Sequence, residues 1–575
     1  TGLAHYFEHM MFKGTNHIGT TNWEAEKALL DQISDLFEQR RATDDTEEKD
    51  ALYKKIDSLS YLAAGYVATN EYDKLASALG AKGTNAGTSY DMTVYINNIP
   101  SNELEKWVML ESERFGEVVL RLFHTELETV YEEYNMYEDM DRSRANKAMM
   151  HGLFAKHPYG RDVIGLAEHI KNPSMVNIYN FYDTFYVPNN MAVILVGDFD
   201  YEETIKMVDE HFGNKEAKDL PEIDKPKEDP ITQPIVKEVY GPDAEFMSMA
   251  YRFETTPENE KYLALIDQLL SNSKAGLIDL DLNQKQKVLR AGSYSNFLND
   301  YGMHVFYGSP RQGQSLEEVK ELLLAEIEKI KKGEFEDWML EAVVNDFKLS
   351  EIKQMEENGS RAFSLLSEFI KGDTHQQSLT FTDELKSITK EELVAFANEH
   401  YNDNYIVVYK RYGEKTNVKK VEKPAITAVP INRELQSDFY KELTSKESAE
   451  IKPMFVDFQE EIYHKELQPG LDFYYLQNET NELFSLNYII DMGKNNMKLL
   501  PIAVNYLPYL GTDKYSPSEL QQEFFKLGLS MNVNTGSERS YVSISGLESS
   551  MEEAIELLEH VLNNAKADGE AYNEY

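Results

Sequence analysis

Leu3-Ala-His-Tyr-Phe-Glu-His-Met-Met-Phe-Lys-Gly-Thr15 stands near the start of the chain, and Leu500-Pro-Ile-Ala-Val-Asn-Tyr-Leu-Pro-Tyr-Leu-Gly-Thr512 stands near its end, at a constant offset of 497. Further along, Leu79-Gly80 and Asp91-Met-Thr-Val-Tyr-Ile96 match Leu527-Gly528 and Arg539-Ser-Tyr-Val-Ser-Ile544 at an offset of 448. Self-similarity of this kind predicts one domain built twice. The two offsets differ by 49, so the first copy carries about 49 extra residues between Gly14 and Leu79. That insert, roughly residues 22–72, is rich in Glu, Lys, Leu and Ala and predicts a helical hairpin. In the later copy the positions of His5, Glu8 and His9 are taken by Ile502, Asn505 and Tyr506. A duplicated scaffold with a single working site would look like this.

Two proline- and charge-rich stretches read as linkers. One runs from about residue 214 to 237 and holds Pro221, Pro226, Pro230 and Pro234; the other runs from 414 to 453 and holds Pro424, Pro430 and Pro453. They divide the chain into segments at 1–213, 238–413 and 454–575. Met191-Ala-Val-Ile-Leu-Val196, before Gly197, predicts a buried strand. Tyr186-Val-Pro-Asn-Asn190 ahead of it parallels Tyr401-Asn-Asp-Asn-Tyr405 ahead of Ile406-Val-Val-Tyr409. Leu316, Val319, Leu323, Ile327 and Ile330 fall on one helical face, with Gly333 as a stop. Tyr541, Ser543 and Ser545 alternate with Val542, Ile544 and Gly546, a strand period. Mixed elements in every segment predict α+β domains, helices packed on a sheet.

The 575-residue chain carries a formal net charge of −42, which argues against a nucleic-acid or anionic-membrane partner. No apolar run approaches the roughly 20 residues of a membrane span. Without cysteine, disulfides, thiolate metal sites and thiol nucleophiles are excluded, so a transition metal would need His and carboxylate ligands. The chain opens without methionine and reaches its richest motif within five residues, so it reads as part of a longer protein.

His5-Tyr-Phe-Glu8-His9 sets two imidazoles at i and i+4 on one helical face, within reach of a single ion, with Glu8 flanking that face. With 13 histidines in the chain, composition alone gives roughly 0.03 such matches, so chance is a poor explanation. Zinc catalysis needs three protein ligands, an open position for water and a base beside that water. Two histidines leave the set one ligand short. Glu126-Leu-Glu-Thr-Val-Tyr-Glu-Glu133 supplies candidates, with Glu126 and Glu133 seven apart and so on one face. Position alone does not choose among Glu126, Glu128, Glu132 and Glu133.

The stretch Gly2 to Thr15 resembles the signature of the pitrilysin/insulinase zinc peptidases, whose inverted HxxEH motif defines the group. The resemblance implies a metal set of His5, His9 and Glu133, with Glu8 as general base acting on metal-bound water. In that family a distal Glu follows the second His by about 75 residues; Glu133 meets that spacing once the 49-residue insert is set aside. Glu126 falls at the family's outer acidic position, seven before the ligand. Asn85, Ala86, Gly87 and Thr88, followed by Thr93-Val-Tyr95, resemble the family's substrate-binding edge strand, which takes an extended peptide through main-chain hydrogen bonds. His157-Pro-Tyr-Gly160 and Pro188-Asn-Asn190 match further family stretches, with His157 shaping the site wall.

By resemblance, 1–213 is the zinc-binding domain, 238–413 a second homologous domain, 414–453 the linker, and 454–575 part of a third, degenerate domain of a clamshell peptidase. The expected activity is a Zn2+-dependent endopeptidase acting on peptides or unfolded polypeptides. A second half or a dimer partner would complete the chamber, and a periplasmic or secreted setting follows by analogy. The competing expectation is a non-catalytic scaffold or peptide-binding member of the family.

Overall fold

The computed structural model describes residues 2–415, 418, 420–421 and 425–574. Thr1, Tyr575 and the linker residue Pro424 lie outside the described residues. Helix and strand are mixed, and the chain divides into two compact units. The first comprises Thr1–Asp229, Val239–Pro242 and Gly413–Lys452; the second comprises Pro230–Glu238, Asp243–Tyr412 and Pro453–Tyr575.

The first unit begins with helix α1 (Leu3–Met10), entered through Gly2 at φ 81°. A Cβ at Gly2 would lie 2.6 Å from the Ile164 carbonyl oxygen, so only glycine fits this close approach. The insert forms α2 (Trp23–Ala42) and α3 (Thr46–Ala64), capped by Asn22 and Asp45, whose side chains accept from Ala25 and Glu48 N–H. After α4 (Glu71–Ala78) the chain makes a hairpin of β1 (Lys82–Thr88) and β2 (Thr93–Asn98), then α5 (Leu104–Arg114) and α6 (Phe123–Asp139). The core gathers Tyr6, Phe7, Met10, Phe37, Ile56, Phe123, Leu127, Val130 and Ile178.

Two segments differ from the sequence expectation. Residues 191–196 form no strand: they are unpaired, and Val193 is exposed. A strand exists only where a neighbour takes its N–H and C=O groups, and among the described residues none pairs with this run. Residues 425–452, read as linker, are instead strapped onto the first unit. Thr427 N–H and hydroxyl bind the Asp57 carboxylate, Asn432 donates to the Ala64 and Val67 carbonyls, and Ser437 N–H donates to Glu71. The segment contains the helix Asp438–Ser445, whose Leu443 is buried beside Tyr72, Leu75 and Leu110.

A five-stranded sheet of order β3-β7-β4-β6-β5 is built from β3 (Ile235–Gly241), β4 (Phe246–Glu254), β5 (Arg290–Phe297), β6 (Tyr301–Ser309) and β7 (Tyr405–Tyr412); β4 to β7 belong to the second unit, as does β3 up to Glu238. The first three residues of β3 fall in the stretch 214–237 that the sequence marks as linker, and pairing in the sheet claims them. The helix Leu316–Lys332 buries its predicted face of Leu316, Val319, Leu323, Ile327 and Ile330 against this sheet's core. A capping box of Ser315 with Glu318 starts it, and Gly333 at φ 69° ends it. Beyond Lys452 come the hairpin β8 (Tyr463–Gln468) and β9 (Leu471–Tyr475), then β10 (Leu483–Ile490), β11 (Ser530–Thr535) and β12 (Ser540–Leu547), the last three in the order β10-β12-β11.

Candidate metal centre

Three of the polar residues singled out from sequence are carried by α1, and its apolar residues aim them. Phe7 packs on Phe181, Tyr182 and Tyr186, and the Tyr6 hydroxyl donates to the Phe123 carbonyl at 2.7 Å, docking α1 on the first turn of α6. The loop between Lys13 and Ile18 is held by Arg121, a residue that sequence reasoning missed. Its guanidinium is 1% exposed, donates to the carbonyls of Lys13, Thr15 and Ile18, and pairs with Glu26 at 2.8 Å. Leu122, in the left-handed region at φ 51°, then turns the chain into α6.

This docking brings His5, His9 and Glu133 together. One ligand atom from each lies within 4.8 Å of the others, the only such group of three among the described residues. Glu133 Oε2 is 3.5 Å from both imidazole Nε2 atoms. That is long for a hydrogen bond, and this buried oxygen has no hydrogen-bond partner. Donors 2.0–2.1 Å from a tetrahedral zinc are about 3.4 Å apart, so the two imidazole–carboxylate spacings suit the ion. His9 Nδ1 is 2.8 Å from Glu126 Oε1. An ionised carboxylate only accepts, so Nδ1 carries the proton and Nε2 is left to bind metal. Lys13 pairs with the other Glu126 oxygen.

The electrostatics favour a cation. Burial lowers the His9 pKa, but the Glu126 and Glu133 carboxylates more than reverse this and raise it to about 9. The two imidazoles hold the Glu133 carboxyl far below its ordinary range, against the effect of burial. Burial would raise Glu126, yet His9 and Lys13 keep it lowered. The residues fit a zinc ion in donor type and charge.

Glu8 is 8% exposed and accepts from the Thr88 hydroxyl at 2.7 Å. Thr88 closes β1, which pairs antiparallel with β2 and places Asn85, Ala86, Gly87 and Thr88 opposite Ile96, Tyr95, Val94 and Thr93. The ladder's irregularity falls between Lys82 and Asn85. His157 is buried; its ring accepts from Tyr159 N–H at 3.3 Å. Glu128 and Glu132 are on α6 but outside the three-residue group. No sequence signal marks the Thr88–Glu8 contact, and Gly14 and Gly19, both at positive φ against the Arg121 guanidinium, are the only trace of Arg121's role.

The family profile described as Peptidase M16 inactive domain matches residues 176–347. Zinc protease PqqE of Helicobacter pylori is 23% identical over 379 residues, 64% of this chain and 85% of that protein. Two solved structures share the fold: periplasmic protease PqqL from Escherichia coli, at TM-score 0.53 and 17% identity over 99% of this chain and 62% of that one, and pitrilysin, at TM-score 0.58 and 15% identity over 100% and 59%. The relatives are M16-type zinc proteases. The chain spans about six tenths of the two solved structures. His5, Glu8, His9 and Glu133 all lie outside the segment matched as inactive domain. Among the described residues no helix is long and apolar enough to cross a membrane.

Proposed function

We propose that this chain is the zinc-binding part of a metalloendopeptidase that hydrolyses peptides or unfolded polypeptides, with His5, His9 and Glu133 as ligands and Glu8 as general base. The observation that carries the reading is the convergence of two imidazoles from α1 and a carboxylate from α6 within 4.8 Å, with a further buried carboxylate, Glu8, on the helix of the imidazoles. Bound zinc supplies Lewis acidity, acidifying water and polarising a scissile carbonyl. His5 and His9 present Nε2, and Glu126 fixes the His9 tautomer. Glu8 takes a proton from the attacking water and returns it to the leaving amine. β1 offers backbone groups to an extended peptide through Asn85 to Thr88. A periplasmic or secreted setting, a second half or partner completing the chamber, and three homologous domains at 1–213, 238–413 and 454–575 belong to the same reading.

The test is cleavage of an unstructured fluorogenic peptide by the zinc-loaded chain and its Glu8→Gln variant, with zinc measured in both. Loss of about 10²–10⁴ in kcat with zinc retained is expected. A variant that cleaves like the parent would remove Glu8 from the chemistry. A parent that binds peptide and zinc without cleaving would favour a non-catalytic peptide-binding role.

A further inference from the structure

The Thr88–Glu8 hydrogen bond joins residues 80 positions apart and links two elements with different tasks. Glu8 lies on α1, and a carboxylate so buried must be held by donors. Thr88 is the last residue of β1. It faces Thr93 across the ladder, with the two hydroxyls 3.4 Å apart. The turn beyond it is closed by Ser89 N–H donating to the Met92 carbonyl at 2.8 Å. The tip of the turn is tied down as well: the Tyr159 hydroxyl is 2.9 Å from both Asp91 carboxylate oxygens, and the Tyr159 ring packs on Tyr90 at 5.3 Å. Thr88 is therefore fixed by the ladder on one side and a pinned turn on the other, and its β-branched side chain has little rotamer freedom.

We propose that Thr88 is a positioning residue whose hydroxyl aims the Glu8 carboxylate. The proposal rests on the reading of Glu8 as general base. The hydroxyl proton occupies a lone pair of Oε2 and fixes the plane of the carboxylate, which leaves the remaining lone pairs for the attacking water. Thr88 itself makes and breaks no covalent bond. Because it sits on the strand offered to substrate, peptide placement and base placement share one rigid hairpin.

Thr88→Val removes the hydroxyl at nearly constant shape, and Thr88→Ser keeps it. In the zinc-loaded chain, Thr88→Val is expected to lower kcat about 10- to 100-fold at unchanged KM and zinc content, and Thr88→Ser to recover most of that loss. A raised KM with kcat preserved would overturn the proposal by assigning the side chain to peptide binding. An equal loss in Thr88→Ser would overturn it by assigning the effect to the methyl group. A second measurement needs no cleavage: a thermal-unfolding double-mutant cycle of Thr88→Val with Glu8→Ala on the metal-free chain. Thr88→Val should lower the Tm when Glu8 is present and leave it unchanged in the Glu8→Ala background; additive shifts would overturn the proposal. Coupling found in a chain that cleaves nothing would uphold the Thr88–Glu8 link and sink the general-base reading, so the two failures are distinguishable.

Discussion

The two stretches that match in sequence, near the start and near the end of the chain, form the same succession of elements and differ in what they carry on it. The first has α1, then β1 and β2; the last has the helix Leu500–Tyr506, then β11 and β12, at the two offsets found in the sequence. Gly80 and Gly528, shared by both copies, adopt positive φ of 77° and 64° after α4 and after the helix Pro517–Lys526. Behind the motif helix each copy makes the same turn. The Thr15 hydroxyl accepts from His17 and Ile18 N–H, and the Thr512 hydroxyl accepts from Lys514 and Tyr515 N–H. Turn glycines, turn threonines and apolar alternation thus specify the scaffold. The chemistry rides on side chains the scaffold can do without: Ile502 is exposed, and the Tyr506 hydroxyl donates to the Asp568 carbonyl and accepts from Asp568 N–H.

The sharpest way to break the comparison is to take away the ligand that α6 supplies. Glu133→Ala leaves two imidazoles, as Nε2 donors, and no carboxylate. Zinc affinity, measured by competition with a chelator, should fall more than about 100-fold, beyond what loss of a group merely supporting a ligand costs. Unchanged affinity would make the first copy no more a metal site than the last.

Arg121 is the largest structural difference around the shared turn. At the corresponding offset the last copy has Gly569, whereas the first copy gathers three loop carbonyls on a buried guanidinium and pairs it with Glu26, which is 0% exposed. Arg121→Met strands a buried carboxylate, and a half-broken buried pair costs about 3–5 kcal/mol. Urea unfolding followed by a probe in the first unit should show that loss; Glu26→Gln with Arg121→Met together should lose less than the two singly. Additivity would mean that the pair is not the source of the loop's stability.

These contrasts also mark how far the sequence could be read. The grouping of His5, Glu8 and His9 is local, since helical spacing alone sets their geometry, and alternation along Tyr541–Gly546 gives β12 for the same reason. Glu133 is one of four glutamates in the run 126–133 of α6, and only the docking of α6 on α1 separates it from Glu128 and Glu132. Residues 191–196 and 406–409 look alike as apolar runs after similar turns, yet only the latter has neighbours: β7 pairs with β4. Pairing is a tertiary fact and leaves no mark within the run. The Thr88–Glu8 and Arg121–Glu26 contacts span 80 and 95 positions and are invisible for the same reason.

A smaller effect is expected where the first copy supports its ligand rather than supplies one. Glu126→Gln still accepts from His9 through its amide oxygen, but it no longer balances Lys13 or fixes the imidazole with a full charge. Zinc affinity should fall about 10- to 100-fold, less than for Glu133→Ala. A larger loss than that of Glu133→Ala would reverse the two glutamates' assignments.

The smallest expected effect comes from running the comparison backwards. Ile502→His with Tyr506→His installs the two imidazoles on the helix Leu500–Tyr506 of the last copy, at the i and i+4 spacing that serves α1. If the spacing made the metal site, the double variant would bind a second zinc. The carboxylate that completes the first site is Glu133, brought in by a separate helix, α6. Two histidines without that third donor form an incomplete site, so zinc per chain should stay at one, with a Tm shift no larger than the loss of the Tyr506–Asp568 contact explains. A second equivalent of zinc held against a chelator would show that the helix alone suffices, and that Glu133 owes its place in the first copy to something other than completing the ligand set.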